Sequence, residues 1–169
     1  FAAYMREREN EPLSPGPAMP LVCKLLALNE KLPDGVVPFE VILLSRNSSE
    51  TCLRVFNAIE KLKLPITRAV FTDGAPTSNY IEALGTKLFL SSNPKEVAKV
   101  IKAGVAAATL APMKNRRAVT QRAGQEHDQI RIAFDGDAVL FGDEAERAHS
   151  VGGLEGFHRH ERERAHEPL

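Results

Sequence analysis

The sequence predicts an α/β, Rossmann-like fold: a mostly parallel sheet flanked by helices, with an incomplete second repeat. Three observations predict it. Short, almost continuous apolar runs such as Phe39-Glu40-Val41-Ile42-Leu43-Leu44 have the composition of strands covered on both faces. These runs alternate with stretches whose apolar residues recur at helical spacing, which implies βαβ units with right-handed crossovers. Glycine and proline mark the changes between them.

In chain order, Phe1 to Leu13 reads as a charged helix, stopped by Ser14-Pro15-Gly16-Pro17. Leu21, Val22, Leu25, Leu28 and Leu32 then give one buried face of a longer helix. The strand at 39–44 leads into Ser45-Arg46-Asn47-Ser48-Ser49. A helix follows with Cys52, Val55, Phe56, Ile59 and Leu62 on one side; Ser48 or Ser49 is its expected N-cap, with Glu50 near the positive helix end. Arg68 to Thr72 is a strand, Asp73-Gly74-Ala75-Pro76 a turn, and Tyr80, Ile81 and Leu84 a short helix closed near Gly85. Lys87 to Ser91 is a strand, Pro94 opens a helix that ends near Gly104, and Val105 to Leu110 is a weaker strand. One sheet is expected over residues 17–110. Residues 112–129 are polar and aperiodic and read as a linker. Ile130-Arg131-Ile132-Ala133-Phe134 reads as a fifth strand, and Asp143 to Leu169 as charged helix with a break at Gly152-Gly153.

Composition narrows the function classes. The 169 residues carry 22 Lys+Arg and 22 Asp+Glu, a formal net charge of 22 − 22 = 0. That balance argues against a general nucleic-acid binder, whose phosphate contacts need a basic surplus. No apolar run approaches the roughly 20 residues that span a bilayer, so no membrane partner is expected. The N-terminal residues lack the basic-then-apolar order of a signal peptide. Cys23 and Cys52 are expected as reduced core residues of a cytoplasmic protein. Homo-oligomerisation is left open.

The chemistry concentrates at Ile132-Ala133-Phe134-Asp135-Gly136-Asp137-Ala138-Val139-Leu140-Phe141. In open α/β sheets, ligands bind outside the carboxyl ends of the strands. Gly136 lets the chain turn so that Asp137 can face the same cavity as Asp135. Two carboxylates this close need a cation or a shared proton. Mg²⁺ is the economical answer, because hard cations prefer oxygen ligands and keep positions open for phosphate. Asp-Gly is also a common turn pair. A calcium loop is disfavoured, because Ala138 to Phe141 is apolar where such a loop needs oxygens.

Phe134-Asp135-Gly136-Asp137-Ala138-Val139-Leu140-Phe141 resembles the first motif of haloacid-dehalogenase-type (HAD-like) phosphohydrolases. With Asp143-Glu144 following, it is similar to the cytosolic 5′-nucleotidase type I family in particular. Arg8-Glu9-Asn10-Glu11-Pro12-Leu13-Ser14-Pro15-Gly16-Pro17-Ala18 and Val105-Ala106-Ala107-Ala108-Thr109 share that resemblance, which extends over nearly the whole chain. The resemblance implies Asp135 as nucleophile and Mg²⁺ ligand, and Asp137 as acid/base and ligand through its backbone carbonyl. It implies hydrolysis of nucleoside 5′-monophosphates, AMP the characteristic substrate, through an aspartyl-phosphate. It also makes residues 1–111 a degenerate HAD-like α/β domain with an N-terminal cap-type helix, and 130–169 the start of the catalytic HAD-like domain. Ser45 matches the family's Ser/Thr position and is the candidate phosphate-binding residue. Thr77 stands where Lys is expected, and Ser91-Ser92 where an acidic pair is expected.

Phe1, Arg6-Glu7-Arg8 and Glu11-Pro12-Leu13 recur in register as Phe157, Arg162-Glu163-Arg164 and Glu167-Pro168-Leu169. This echo, and the missing initiator Met, lead to the expectation of a piece of a longer protein; without the Lys and the acidic pair, which would bind Mg²⁺ and phosphate, that piece is expected to have little or no activity by itself. The alternative reading is a non-catalytic nucleotide-binding or interaction fragment. His149, His158, His160 and His166 are expected as solvated surface residues, and Gly152-Gly153-Leu154-Glu155-Gly156 lacks the preceding strand of a dinucleotide loop.

Overall fold

The computed structural model describes residues 2–11, 13–111, 129–135, 139–140 and 142–166. The expected linker, Gly136, Asp137 and Ala138 lie outside or mostly outside these residues. The chain divides into two compact units, Phe1–Ile130 and Arg131–Leu169.

The first unit is α/β. Its helices are α1 (Ala2–Glu7), α2 (Met19–Asn29), α3 (Leu53–Lys61) and α4 (Pro94–Lys102). Its strands are β1 (Ile42–Ser45), β2 (Arg68–Phe71), β3 (Leu88–Ser91) and β4 (Ala106–Thr109). β1 pairs with β2 in parallel, Ile42 opposite Arg68 and Ser45 opposite Phe71. β3 pairs with β4 in parallel, Leu88 opposite Ala106 and Ser91 opposite Thr109. Each pair is joined by one helix, α3 or α4, as parallel neighbours require.

The single sheet expected over 17–110 is therefore two parallel ladders among the described residues. Each four-residue strand finds its partner through its own crossover helix. The segment between β2 and β3 is spent on a 3-10 turn, Thr77–Tyr80, and a turn closed at Gly85 with φ +63°. A common core still links the ladders. Ile81, Phe89, Val97 and Val100 are buried together, and Leu44 of β1 packs against them.

Several elements differ in detail from the apolar pattern. On α2 the buried residue is Leu26, and Cys23 faces outward; Cys52 is half-buried, and both cysteines are free. On α3 the buried positions are Arg54 and Ala58, whereas Phe56 and Leu62 are largely exposed. The strand predicted from Phe39 starts only at Ile42. The reason is local: the Asn29 side chain donates to Phe39 O at 2.7 Å and accepts from Phe39 N at 3.2 Å, doing for that peptide what a neighbouring strand would do.

Arg54 explains the rotation of α3. Its guanidinium donates to Glu11 O at 3.1 Å and lies 3.8 Å from the Glu11 carboxylate. Asn57, one turn on, donates to Glu9 O at 2.9 Å, and Lys61 to Asn10 O. Three side chains of one α3 stripe thus satisfy carbonyls just past the end of α1, where positive charge is favoured.

Ile130 to Phe134, which runs into the second unit, is not a strand. Ile132 is 57% exposed and Phe134 64% exposed. A strand needs a neighbour to take its hydrogen bonds and a layer to cover its apolar face. No described strand pairs with this segment. The remainder is α5 (Glu144–Arg164), broken at Gly153, whose φ of 60° and ψ of −157° are non-helical. The two arms fold back on one another. Arg164 pairs with Glu144 across the hairpin. A Cβ on Gly156 would sit 2.9 Å from Ala148 O, so the close approach of the arms requires glycine there.

Candidate functional site

The carboxyl ends of the strands in the first unit are tied to each other. Thr72 N donates to Ser45 O at 2.9 Å, Asp73 N to Asn47 O at 3.1 Å, and Gly74 N to Arg46 O at 2.8 Å. Arg46 Nε returns a bond to Gly74 O at 3.0 Å. The half-buried Ser45 hydroxyl accepts from Asn47 N at 3.2 Å, and Ser91 accepts from Asn93 N at 3.1 Å in the same two-residue pattern. Both strands end in Leu-Ser, followed two residues later by Asn, and both turn into helical segments. The matching turns are therefore legible in the sequence as Ser-Arg-Asn and Ser-Ser-Asn.

Thr77 is buried and donates to Glu96 Oε2 at 3.4 Å. Glu96 also accepts from Ser78 N at 3.0 Å and lies 3.7 Å from Lys99 Nζ. The Ser78 N–H is the main reason its carboxyl is held below the ordinary value of 4.5, against the opposing effect of burial. The position where a lysine was expected is thus filled by a threonine bonded to a buried carboxylate.

Asp135 lies in the second unit. It lines an open cleft of about 370 Å³ with Glu146, His149, Leu154 and Phe157. That volume falls in the range of roughly 300–1,000 Å³ seen for small-molecule sites. The hairpin builds the cleft: Glu146 and His149 lie three residues apart on the first arm, Leu154 and Phe157 three apart on the second. The break at Gly153 returns the second pair to the first. The His149 and Phe157 rings meet edge to face, centroids 6.4 Å apart and planes at 79°. His149, expected as a solvated histidine, is exposed and is also a wall of this cleft.

Asp137 lies outside the described residues. Ser45 is in the first unit and Asp135 in the second. No three His, Cys, Asp or Glu among the described residues come together as a metal-holding group. A hard cation such as Mg²⁺ is commonly held by one or two carboxylates with water and substrate phosphate, and the exposed Asp135 carboxylate has that donor chemistry. No helix of the described residues is long and apolar enough to cross a membrane.

The sequence reading missed Glu146, Leu154 and Phe157. Their signal was the pair of i, i+3 positions on either side of a double glycine, which becomes a wall only when the helix folds back.

Comparison with known proteins covers both units. Human cytosolic 5′-nucleotidase 1B is 32% identical over 165 residues, 95% of this chain and 26% of the relative. The chain thus spans about a quarter of the length of that relative. No solved structure matches. The model of a family described as 5′-nucleotidase matches residues 1–169, through the βαβ units and the Asp135 segment alike, and this chain belongs to that family.

Proposed function

We propose that the protein containing this chain is a cytosolic 5′-nucleotidase of HAD-like fold that hydrolyses nucleoside 5′-monophosphates, AMP foremost, to nucleoside and phosphate. Membership of the family supports the reaction class. The observation that carries the assignment of residues is the place of Asp135 on the wall of an open cleft of about 370 Å³.

In this reading a carboxylate oxygen of Asp135 attacks phosphorus, and the phosphorus–O5′ bond breaks. Asp137 protonates the departing 5′ oxygen. It then takes a proton from the water that attacks the aspartyl-phosphate, which frees phosphate and restores Asp135. Mg²⁺ is the proposed cofactor, with Asp135 and Asp137 as its protein ligands; when bound it would neutralise phosphate charge. Ser45 is proposed to contact phosphate through its hydroxyl proton, since a hydroxyl that accepts one bond can still donate another.

The test is AMP hydrolysis by the full-length protein. Asp135→Asn is expected to lower kcat by several orders of magnitude, and Asp137→Asn by roughly 10²–10⁴-fold. Undiminished turnover in Asp135→Asn sinks the assignment. The 169-residue chain alone is expected to show little or no turnover.

A second reading concerns the first unit: a non-catalytic nucleotide-binding or interaction module. It is favoured by Thr77, whose hydroxyl is bonded to Glu96 of α4, and by Ser91, whose hydroxyl is engaged in its own turn, where the family pattern has Lys and an acidic residue.

A further inference from the structure

We propose that the inner edges of β1 and β3 are a docking slot for one further strand, supplied by a segment ahead of Phe1 in the protein containing this chain, which joins the two ladders into a single parallel sheet. The proposal stands apart from the nucleotidase reading. Both ladders belong to one compact unit, yet no described strand bridges them. They share a core: Leu44 of β1 packs against Ile81, Phe89, Val97 and Val100, and so do Val105 and Ala107 from the far side of β3. β1 and β3 are therefore the inner strands, and β2 and β4 the outer ones. Half of the backbone N–H and C=O groups of a parallel strand face each neighbour, so β1 and β3 each present a row that no described strand takes. Their side chains match an unfinished sheet. All four residues of β1 are only half-buried, and Leu88 of β3 is 51% exposed. Strands two places apart in a sheet are separated by roughly 9–10 Å, the width that one strand fills.

The internal echo identifies the occupant. Phe1 to Leu13 recurs in register at Phe157 to Leu169, and ahead of Phe157 by 157 − 134 = 23 to 157 − 130 = 27 positions stands the run Ile130-Arg131-Ile132-Ala133-Phe134. The same spacing ahead of Phe1 places a run of that kind 23 to 27 positions upstream. A strand with neighbours on both edges of a parallel sheet reads as a short, mostly apolar run of this sort. The human relative has room for it, since the matched span is only 26% of that protein. The stretch from such a run to β1 exceeds the dozen residues that a parallel crossover needs. Ile130 to Phe134 itself runs into the second unit, so the first unit requires its own copy.

The experiment uses the full-length protein with its own cysteines, Cys23 and Cys52 among them, replaced by serine. Leu44→Cys or Leu90→Cys is combined in turn with a cysteine at each of the five upstream positions, and disulfides are read by mass spectrometry after digestion. Neighbouring strands hold Cα atoms within the roughly 4.4–6.8 Å that a disulfide spans. Leu44 lies on the same side as Phe89, and Leu90 points to the opposite side, because successive strand residues alternate. Alternate positions of the run are therefore expected to link to Leu44→Cys, and the intervening positions to Leu90→Cys. Amide exchange of the unsubstituted full-length protein is the second measurement. Ile42–Ser45 and Leu88–Ser91 should be protected at successive residues, by on the order of a hundredfold or more, whereas a strand with one bare edge protects every other residue. No link to the upstream run, linking of Leu44→Cys directly to Phe89→Cys, capture by Ile130 to Phe134 instead, or protection at alternate residues only overturns the slot. Where the cysteine variants fail to fold, the exchange pattern of the unsubstituted protein decides by itself.

Discussion

Two segments of this molecule share letters and are held in opposite ways. Arg6-Glu7-Arg8 straddles the end of α1, and Arg162-Glu163-Arg164 closes the second arm of α5. The first is fastened from outside: Arg54, Asn57 and Lys61 of α3 take the carbonyls of Glu11, Glu9 and Asn10. Met5 is buried beside Arg54, and Arg8 lies over the Tyr4 ring at 4.2 Å. The second segment is fastened to its own helix, through the return at Gly153 and the Arg164–Glu144 pair. An isolated helix this short is marginal in water, so each needs a partner. The repeated charges do not choose that partner. It is chosen by what lies beside the helix: a basic stripe on a neighbour in one case, a small residue that lets the arms touch in the other.

The comparison can be broken most forcefully at Arg54. Its side chain is 10% exposed, and Arg54→Ala removes its bond to Glu11 O and leaves that carbonyl unserved. The expected loss is about 2–3 kcal/mol. Hydrogen exchange should show protection vanish from residues 2–7 while the α5 hairpin is untouched. Equal loss in both helices would mean that the two attachments are not independent.

Gly156→Ala attacks the other attachment. Its Cβ meets Ala148 O at 2.9 Å, so the arms must move apart, at a cost of roughly 1–3 kcal/mol. Gly153→Ala is expected to cost a similar or smaller amount, of order 1–3 kcal/mol, because its φ of 60° and ψ of −157° are accessible almost only to glycine. Either change should lower helical circular dichroism and speed both exchange and proteolysis within 144–164. Retained protection there would show that the hairpin does not depend on close approach.

Acid gives a finer comparison, because Glu96 serves the first unit alone. Its carboxyl is held below 4.5 when folded, chiefly by the Ser78 N–H. Its stabilising contribution is therefore present above the unfolded value and is lost as pH falls through the lowered folded value. Glu96→Gln should cost about 1 kcal/mol near neutral pH and flatten the acid limb of the first unit's unfolding curve. An unchanged acid limb would remove Glu96 from the account.

The smallest effect is expected at the paired Glu40 and Arg68, which bridge the approach to β1 and the start of β2 at 2.5 Å. The Arg68 hydrogen bond lowers the Glu40 pKa, but solvent and salt screen an exposed pair. Glu40→Gln should leave the unfolding midpoint close to its original value, whereas a large fall would mark β1–β2 as the weak point of the first unit.

The alternation of strand and helix was legible in the chain because it rests on local patterns. Asn93 caps α4 through Lys95 N at 3.0 Å, Pro94 opens that helix, and Gly104 at φ +80° closes it. The same signals placed β2, β3 and β4 to within a residue or so of their observed ends. The core face of α3 was not legible in the same way. Val55, Phe56 and Leu62 are the more apolar residues, yet Arg54 is buried, because a carbonyl cluster elsewhere in the chain repays its desolvation. Ile130 to Phe134 failed for the converse reason: its letters suit a strand, but no described neighbour completes one.

At the candidate site the chain itself marked Asp135, through an acidic pair following an apolar run. It could not mark Glu146, His149, Leu154 and Phe157 as one wall. Periodicity assigns residues to faces of a straight helix, and that helix is bent double at a glycine. Local order, its caps and its breaks were determined by the sequence, because they depend on dihedral freedom and on hydrogen bonds within a few residues. Which surfaces meet was decided only in the tertiary structure, because burial and partnered polar groups depend on segments far apart in the chain.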